Sequence, residues 1–347
     1  MPIDSGFVLR PLRLVELLDA AFRLYRRNFW VYVGIVALVQ IPVSLFSLLP
    51  TGLMTQSLGQ LGGEAFPLAY FGSMGLTLVL IILQFFLISG LATLALTQAL
   101  VSAMLGQKIG VIEAYRQARP RLGRFLLTLF LIGLLTVGLY FWMLIPCVGW
   151  FSGLGMLMLV MTAMMPFAAP VVLLEPCSAS EAISRTWDLI RRRFWWVLGL
   201  AGVLYLLNLV LAGPAALFNL FASSFSETIF GITDTANLVI ISTIIQTLSG
   251  VLASILYLPL QFAVIVLAYF DLRVRTEGID LFIQANADEN QPLRVAQLAE
   301  MPTVKFGKQL LTGTEIGYFV LLTLGVFVLY ALLFGGVMLL FASRMPL

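Results

Sequence analysis

The sequence predicts an all-α integral membrane protein with about seven transmembrane helices and three cytoplasmic interfacial amphipathic helices in a threefold internal repeat. Three observations carry that fold class. Of 347 residues, 61% are hydrophobic and 11% charged, against about 45–50% apolar and about 25% charged in a soluble domain. The apolar residues gather in charge-poor runs, most of them twenty residues or longer, the length that crosses a bilayer core of roughly 30 Å. One charged and aromatic segment also recurs along the chain.

Charge-poor runs lie at about 29–50, 71–104, 124–146, 150–174, 194–222, 236–270 and 315–342, which makes seven expected spans. The 28 residues before the first run are amphipathic. A cleavable signal has instead a short basic start and an apolar core of about 7–15 residues, so the first span is expected to remain as a signal anchor. If successive connections alternate sides, nineteen of the twenty basic residues fall on one side, with Arg344 alone on the other. Such a bias orients the N-terminus inside and the C-terminus outside the cytoplasmic (inner) membrane.

The recurring unit is read from residues 11–34 and 176–199. At one constant offset Pro11, Glu16, Leu24, Arg26, Arg27, Phe29, Trp30 and Gly34 match Pro176, Glu181, Leu189, Arg191, Arg192, Phe194, Trp195 and Gly199. A weaker third copy keeps the eleven-residue separation of Glu16 and Arg27 in Glu113 and Arg124. The expected organisation is a membrane domain at 1–283, with units at about 10–105, 106–175 and 176–271. A cytoplasmic linker follows at 284–314 and an additional C-terminal transmembrane helix at 315–347.

Each unit opens on a surface helix. In the first, Glu16, Asp19, Arg23, Arg26 and Arg27 share one face, and Leu14, Leu17, Leu18, Ala21, Leu24 and Tyr25 the other, the pattern of a helix lying in the headgroup plane. Asp19 with Arg23, Glu181 with Arg185 and Asp188 with Arg192 stand four apart, acid first, each pair contributing ~0.2–0.5 kcal/mol. Phe29-Trp30 and Phe194-Trp195-Trp196 mark the membrane boundary.

Inside the expected spans no Asp, Glu, Lys or Arg sits at mid-depth, where such groups mark proton and ion paths. Gln40, Gln84, Gln98, Asn208, Asn219, Gln246 and Gln261 are expected to bridge helices. Gly149 and Gly153 permit close helix approach, as do Ala95, Ala99 and Ala103. Gly213-Pro214 is expected to break the fifth span, leaving 215–233 as an outer re-entrant or interfacial piece.

The chain has no histidine and two cysteines, Cys147 and Cys177. Histidine is the commonest general base and metal ligand, so Ser-His-Asp catalysis and His-metal sites are closed to it. With no intramembrane acid pair either, no enzyme activity, catalytic residue, metal or cofactor is expected.

Two stretches resemble a known family. Leu9-Arg10-Pro11-Leu12 through Glu16, with Tyr25-Arg26-Arg27-Asn28-Phe29, and the exit YFDLRVRTEGIDL at 269–281, are similar to the bacterial membrane domain associated with glycerophosphoryl diester phosphodiesterases. The resemblance implies the stand-alone membrane module rather than the phosphodiesterase barrel, which needs histidines and a soluble domain. Its exit motif supplies Asp271, Arg273, Arg275 and Glu277, and the Arg and Glu residues there suit the cytoplasmic surface.

The expected function is a non-catalytic scaffold or accessory module that binds lipid headgroups, or another membrane or cytoplasmic protein, at the cytoplasmic face. The candidate contacts are Arg23, Arg26, Arg27, Arg124, Arg191, Arg192 and Arg193, each contributing ~1 kcal/mol against an anionic surface. Nucleic acid is not an expected partner. The alternative is a transporter or channel for a lipid-like or uncharged solute, suggested by the repeats and the proline-bearing spans.

Overall fold

A computed structural model describes residues 11–49, 66–146, 148–230, 235–280 and 312–342. Among these every regular element is helical. In chain order they are α1 (Leu14–Arg27), α2 (Phe29–Phe46), α3 (Phe66–Gln84), a π-helical segment (Phe85–Ala92), α4 (Thr93–Met104), α5 (Val111–Met143) and α6 (Val148–Leu159). A second π-helical segment (Val160–Met164), α7 (Met165–Leu174), α8 (Ala179–Arg192), α9 (Phe194–Phe230), α10 (Thr235–Glu277) and α11 (Gly313–Ala342) follow.

Six stretches are long and apolar enough to cross a bilayer: Phe29–Phe46, Phe71–Met104, Val111–Met143, Val148–Leu174, Phe194–Pro214 and Ile241–Glu277. The chain is a multi-pass membrane protein. The expected linker at 284–314 and the loop residue Cys147 lie almost wholly outside the described residues.

α1 and α8 are each 14 residues long, and their bounds differ by the offset that aligns their sequences. α8 starts with a reciprocal capping box: Glu181 N–H donates to Ser178 Oγ at 3.4 Å, and Ser178 N–H donates to Glu181 Oε2 at 2.8 Å. α1 keeps half of it, with Arg13 N–H donating to Glu16 Oε2 at 3.3 Å. Both end where one residue leaves helical geometry, Asn28 (φ −127°) and Arg193 (φ −132°), before a long apolar helix begins.

The segment at Glu113–Arg124 behaves differently. No break separates an amphipathic helix from a span there, because α5 is continuous from Val111 to Met143. Phe125 stands where Asn28 and Arg193 interrupt the other two, and it is fully buried inside the helix, so burial favours running on. Gly213-Pro214 likewise fails to break its helix: α9 passes through to Phe230. A proline removes one backbone hydrogen bond, which membrane helices tolerate.

The core lies where α4, α7 and α10 pack on one another pairwise. Leu94 and Leu100, Ala168 and Val172, and Val264 and Leu267 are all essentially inaccessible there. α2, α5 and α9 flank this centre and leave Leu38, Phe130, Leu134, Leu206 and Val210 exposed, as lipid-facing surfaces require. Of the expected polar bridges, Gln98 is one: its Nε2 donates to Gln117 Oε1 at 2.9 Å, whereas Gln40 Nε2 donates to Ser44 Oγ of its own helix at 3.3 Å. A bridge not expected from the sequence comes from Tyr115, whose OH donates to the Ile35 carbonyl at 2.6 Å.

The amphipathic helices are seated on protein rather than turned apolar-side into lipid. Leu17, Ala20, Ala21 and Leu24 of α1 are buried, and α1 packs on α10; Ala182, Leu189 and Ile190 of α8 are buried, with α8 against α5 and α7. The apolar stripe is the one expected, but its partner is the end of the bundle.

Close approaches explain several glycines. A Cβ at Gly149 would stand 2.0 Å from the Trp142 carbonyl oxygen, and one at Gly153 2.6 Å from Met143 Cγ. Gly155 faces α11 instead: its N–H donates to Thr323 Oγ1 at 3.0 Å, and a Cβ would meet the Phe319 carbonyl oxygen at 2.4 Å. Even one methyl must push the helices apart. Gly155→Ala is therefore expected to destabilise the fold by about 1–3 kcal/mol, seen as a lower melting temperature of purified protein. Gly75→Ala, with nothing within 4 Å of the added atom, is expected to be neutral or slightly stabilising.

Candidate functional site

The charged residues of the exit motif occupy the last two turns of α10. Their four-residue spacing divides them between two sides of the helix. Tyr269, Arg273 and Glu277 point one way, and Asp271 and Arg275 another. Each set closes on a different part of the chain.

The first set meets α8 and the end of α7. Arg185, on α8, donates from Nε to Glu175 Oε2 at 2.7 Å and from Nη2 to Glu277 Oε1. Arg273 Nε donates to Glu277 Oε2 at 2.8 Å, and Tyr269 OH donates to Glu175 Oε1 at 2.8 Å. Arg273 Nη1 donates to the Tyr269 hydroxyl oxygen at 3.2 Å. Glu175 is 3% exposed, Arg185 8% and Arg273 1%. Two guanidiniums and two carboxylates thus cancel in a buried cluster, and each carboxylate oxygen accepts a bond. Completed pairing of this kind is what allows buried charge to persist.

Arg185 lies outside the spans. Burial alone would pull its guanidinium pKa down, but the hydrogen bonds and charges of Glu175 and Glu277 more than offset this and raise it. Nearby, the Cys177 thiol is pushed up to about 11, first by burial and then by the Glu175 carboxylate. A thiol of that kind is a poor nucleophile near neutral pH.

The second set holds the chain's opening segment. Leu12 N–H donates to Asp271 Oδ1 at 2.7 Å, and Arg275 Nη2 donates to the Leu12 carbonyl at 2.7 Å. Arg275 Nε also donates to both Asp271 oxygens, at 3.0 and 2.9 Å. The two stretches on which the family resemblance rests are therefore bonded to each other, across 259 residues of sequence.

These contacts revise two sequence expectations. Arg273 and Glu277 do not sit on a solvated surface, because pairing has drawn them inside. Arg185 does not pair with Glu181 four residues before it; Glu181 caps its own helix, and Arg185 turns inward to Glu175 and Glu277.

The arginine candidates fall in three places. Arg23, Arg26 and Arg27 on α1 are exposed, as are Arg124 on α5 and Arg192 at the end of α8. Arg191 is partly covered and donates to Asp188 Oδ1 at 2.9 Å. Arg193 is partly covered in the junction between α8 and α9. The structure brings Arg192 and Arg193 together with Arg275, whereas Arg23, Arg26 and Arg27 form a separate face on α1. Sequence reasoning missed Glu175 and Tyr269. The signal available was a carboxylate directly ending an apolar run, and a tyrosine four residues before Arg273 on one helix face.

Compared with protein families, with curated proteins and with solved structures, the chain shows no match.

Replacing one member of the buried cluster strands its partners. Arg185→Met is expected to cost about 3–5 kcal/mol, measured by detergent-induced unfolding of the purified protein. Arg27→Gln, at an exposed position, is expected to cost less than about 0.5 kcal/mol by the same measurement.

Proposed function

We propose that this chain is a non-catalytic membrane module that holds anionic lipid headgroups on a cytoplasmic face built from α1, the start of α5 and α8. The reading includes the N-terminus inside and the C-terminus outside, with α11 as a seventh span appended to a threefold unit. It also takes the chain as akin to the membrane domain associated with glycerophosphoryl diester phosphodiesterases.

One observation carries it. Arg23, Arg26 and Arg27 are exposed on a helix whose opposite face is buried against α10 and whose entry is bonded to Asp271 and Arg275. A basic face held rigid loses less conformational freedom on meeting an anionic surface than a flexible one does. Phe29 and Trp30 follow directly, and Trp30 is 80% exposed, which suits a ring at headgroup level. A partner protein with an acidic surface would use the same face.

A transporter is the second reading, favoured by the π-helical segments at Phe85–Ala92 and Val160–Met164, since π-turns in helices concentrate at functional sites. Gln84 directly precedes the first of them. Solute flux in reconstituted vesicles, lost on Gln84→Ala, would select this reading over the first.

For the leading reading, the triple variant Arg23→Gln, Arg26→Gln, Arg27→Gln is expected to retain anionic lipid at least about tenfold more weakly, given ~1 kcal/mol for each basic residue. Native mass spectrometry of protein released from mixed-lipid nanodiscs measures this. Unchanged retention would leave these arginines as orientation signals and sink the proposal.

A further inference from the structure

One guanidinium stands where the other two repeated segments place a buried leucine. With Glu113 aligned on Glu16 and Glu181, Arg121 falls at the position of Leu24 and Leu189, which are 9% and 0% exposed. Helical spacing sets Arg121 on one stripe of α5 with Ala114, Ala118 and Phe125, all three essentially inaccessible. Arg121 is itself partly buried. An arginine drawn toward a core is ordinarily paired with an acid.

Among the described residues no carboxylate forms an ion pair with Arg121. The acids of this region are committed elsewhere. Glu113, earlier on α5, accepts from Gln117 Nε2 at 2.8 Å with one oxygen and pairs with Arg116 at 2.6 Å through the other. Glu175 is taken by Arg185 and Tyr269. The side-chain charge that bears on Arg121 is that of Arg124, which is positive as well. Arg124 is exposed one turn further along α5, so the two make a doubly positive corner.

The corner sits where α5 passes from charged to apolar, since no charged residue follows Arg124 before Met143. Leu127 and Leu134, 52% and 60% exposed, continue the side of the helix that Arg124 begins. A phosphate held at the corner therefore leaves acyl chains lying along an apolar strip.

We infer that Arg121 and Arg124 form a discrete seat for the phosphate of an anionic lipid, whose chains run along Leu127 and Leu134. Guanidinium groups match phosphate oxygens with paired, charge-assisted hydrogen bonds. A surplus of two positive charges is offset by a lipid of net negative charge and not by a zwitterionic one. The seat lies on a different helix from the α1 face, and one of its arginines is withdrawn from water, where salt screens attraction less. The inference deepens the proposed headgroup-binding function and rests on it, adding Arg121 as a contact.

The test compares retention of phosphatidylglycerol and phosphatidylcholine by the full-length protein released from mixed nanodiscs, read by native mass spectrometry. The wild type is expected to prefer phosphatidylglycerol at least about fivefold. Arg121→Leu, which installs the residue of the other two segments, is expected to lose at least about threefold of that preference. Its melting temperature should hold or rise, because an unpaired charge leaves a partly buried site. Arg121→Gln is expected to lose as much, which keeps the test independent of how the leucine packs. Arg119 is exposed on the opposite side of α5, and Arg119→Gln is expected to stay within about 1.5-fold of wild type.

Equal losses in Arg119→Gln and Arg121→Gln would reduce the seat to general surface charge and overturn it. Unchanged preference in both Arg121 variants would overturn it too. The α1 triple variant separates that failure from failure of the wider reading. A loss there with none at Arg121 leaves headgroup binding on α1 intact, and a loss in neither overturns both.

Discussion

Two carboxylates and two guanidiniums, buried together at the basic end of the bundle, are the constraint on which the rest of the arrangement depends. Glu175 ends α7, Arg185 belongs to α8, and Arg273 and Glu277 close α10. None of the four is tolerable there alone, since an unpaired buried charge costs several kcal/mol. They therefore enforce one another's positions. An apolar core can slide by a residue with modest loss, whereas a forked guanidinium spanning two carboxylates accepts one geometry. The three-helix centre of α4, α7 and α10 supplies bulk stability, and the ionic cluster fixes how α8 sits across its end.

The face proposed to hold headgroups follows from that fixing. α8 is pinned at its middle by Arg185, so its final turn and the Arg193 junction are carried to one side of α10. There Arg275 reaches across to the opening segment, with Asp271 taking the Leu12 N–H and Arg275 the Leu12 carbonyl. α1 is held by that bond and by the Tyr25 hydroxyl, which donates to the Leu256 carbonyl at 3.2 Å. Exposed arginines on two helices thus stand on a rigid base made from charges of the opposite role, which are buried and neutral in sum. One set of charges is spent on structure and another remains on the surface.

Much of this was legible in the sequence, and the gaps have physical causes. The helical class and the apolar stripes of α1 and α8 follow from composition and periodicity alone. The six long apolar helices of the described residues each fall within or overlap an expected span. Eight identities relate the segments of α1 and α8 in the sequence, and both segments form helices of 14 residues. The continuity of α5 was not legible, because the interruption in the other two depends on a single residue, Asn28 or Arg193, whose counterpart Phe125 prefers burial to a break. The fate of Arg273 and Glu277 was also hidden. A charge at a span end reads as solvated, and only the long-range partners Glu175 and Arg185 reveal that it is paired inside. Arg185 misled for a related reason: a local acid four residues away suggested a surface pair, but Glu181 was already engaged in capping.

The most direct test is whether Arg185 holds α8 in place. Amide hydrogen exchange along α8, compared between wild type and Arg185→Met in nanodiscs, reads that coupling residue by residue. Loss of a buried pair worth about 3–5 kcal/mol predicts at least about 100-fold faster exchange across Ala182–Ile190, with the amides of α2 unchanged. Unaltered protection of α8 in the variant would contradict the account, since the helix and its arginines would then be held by apolar packing alone.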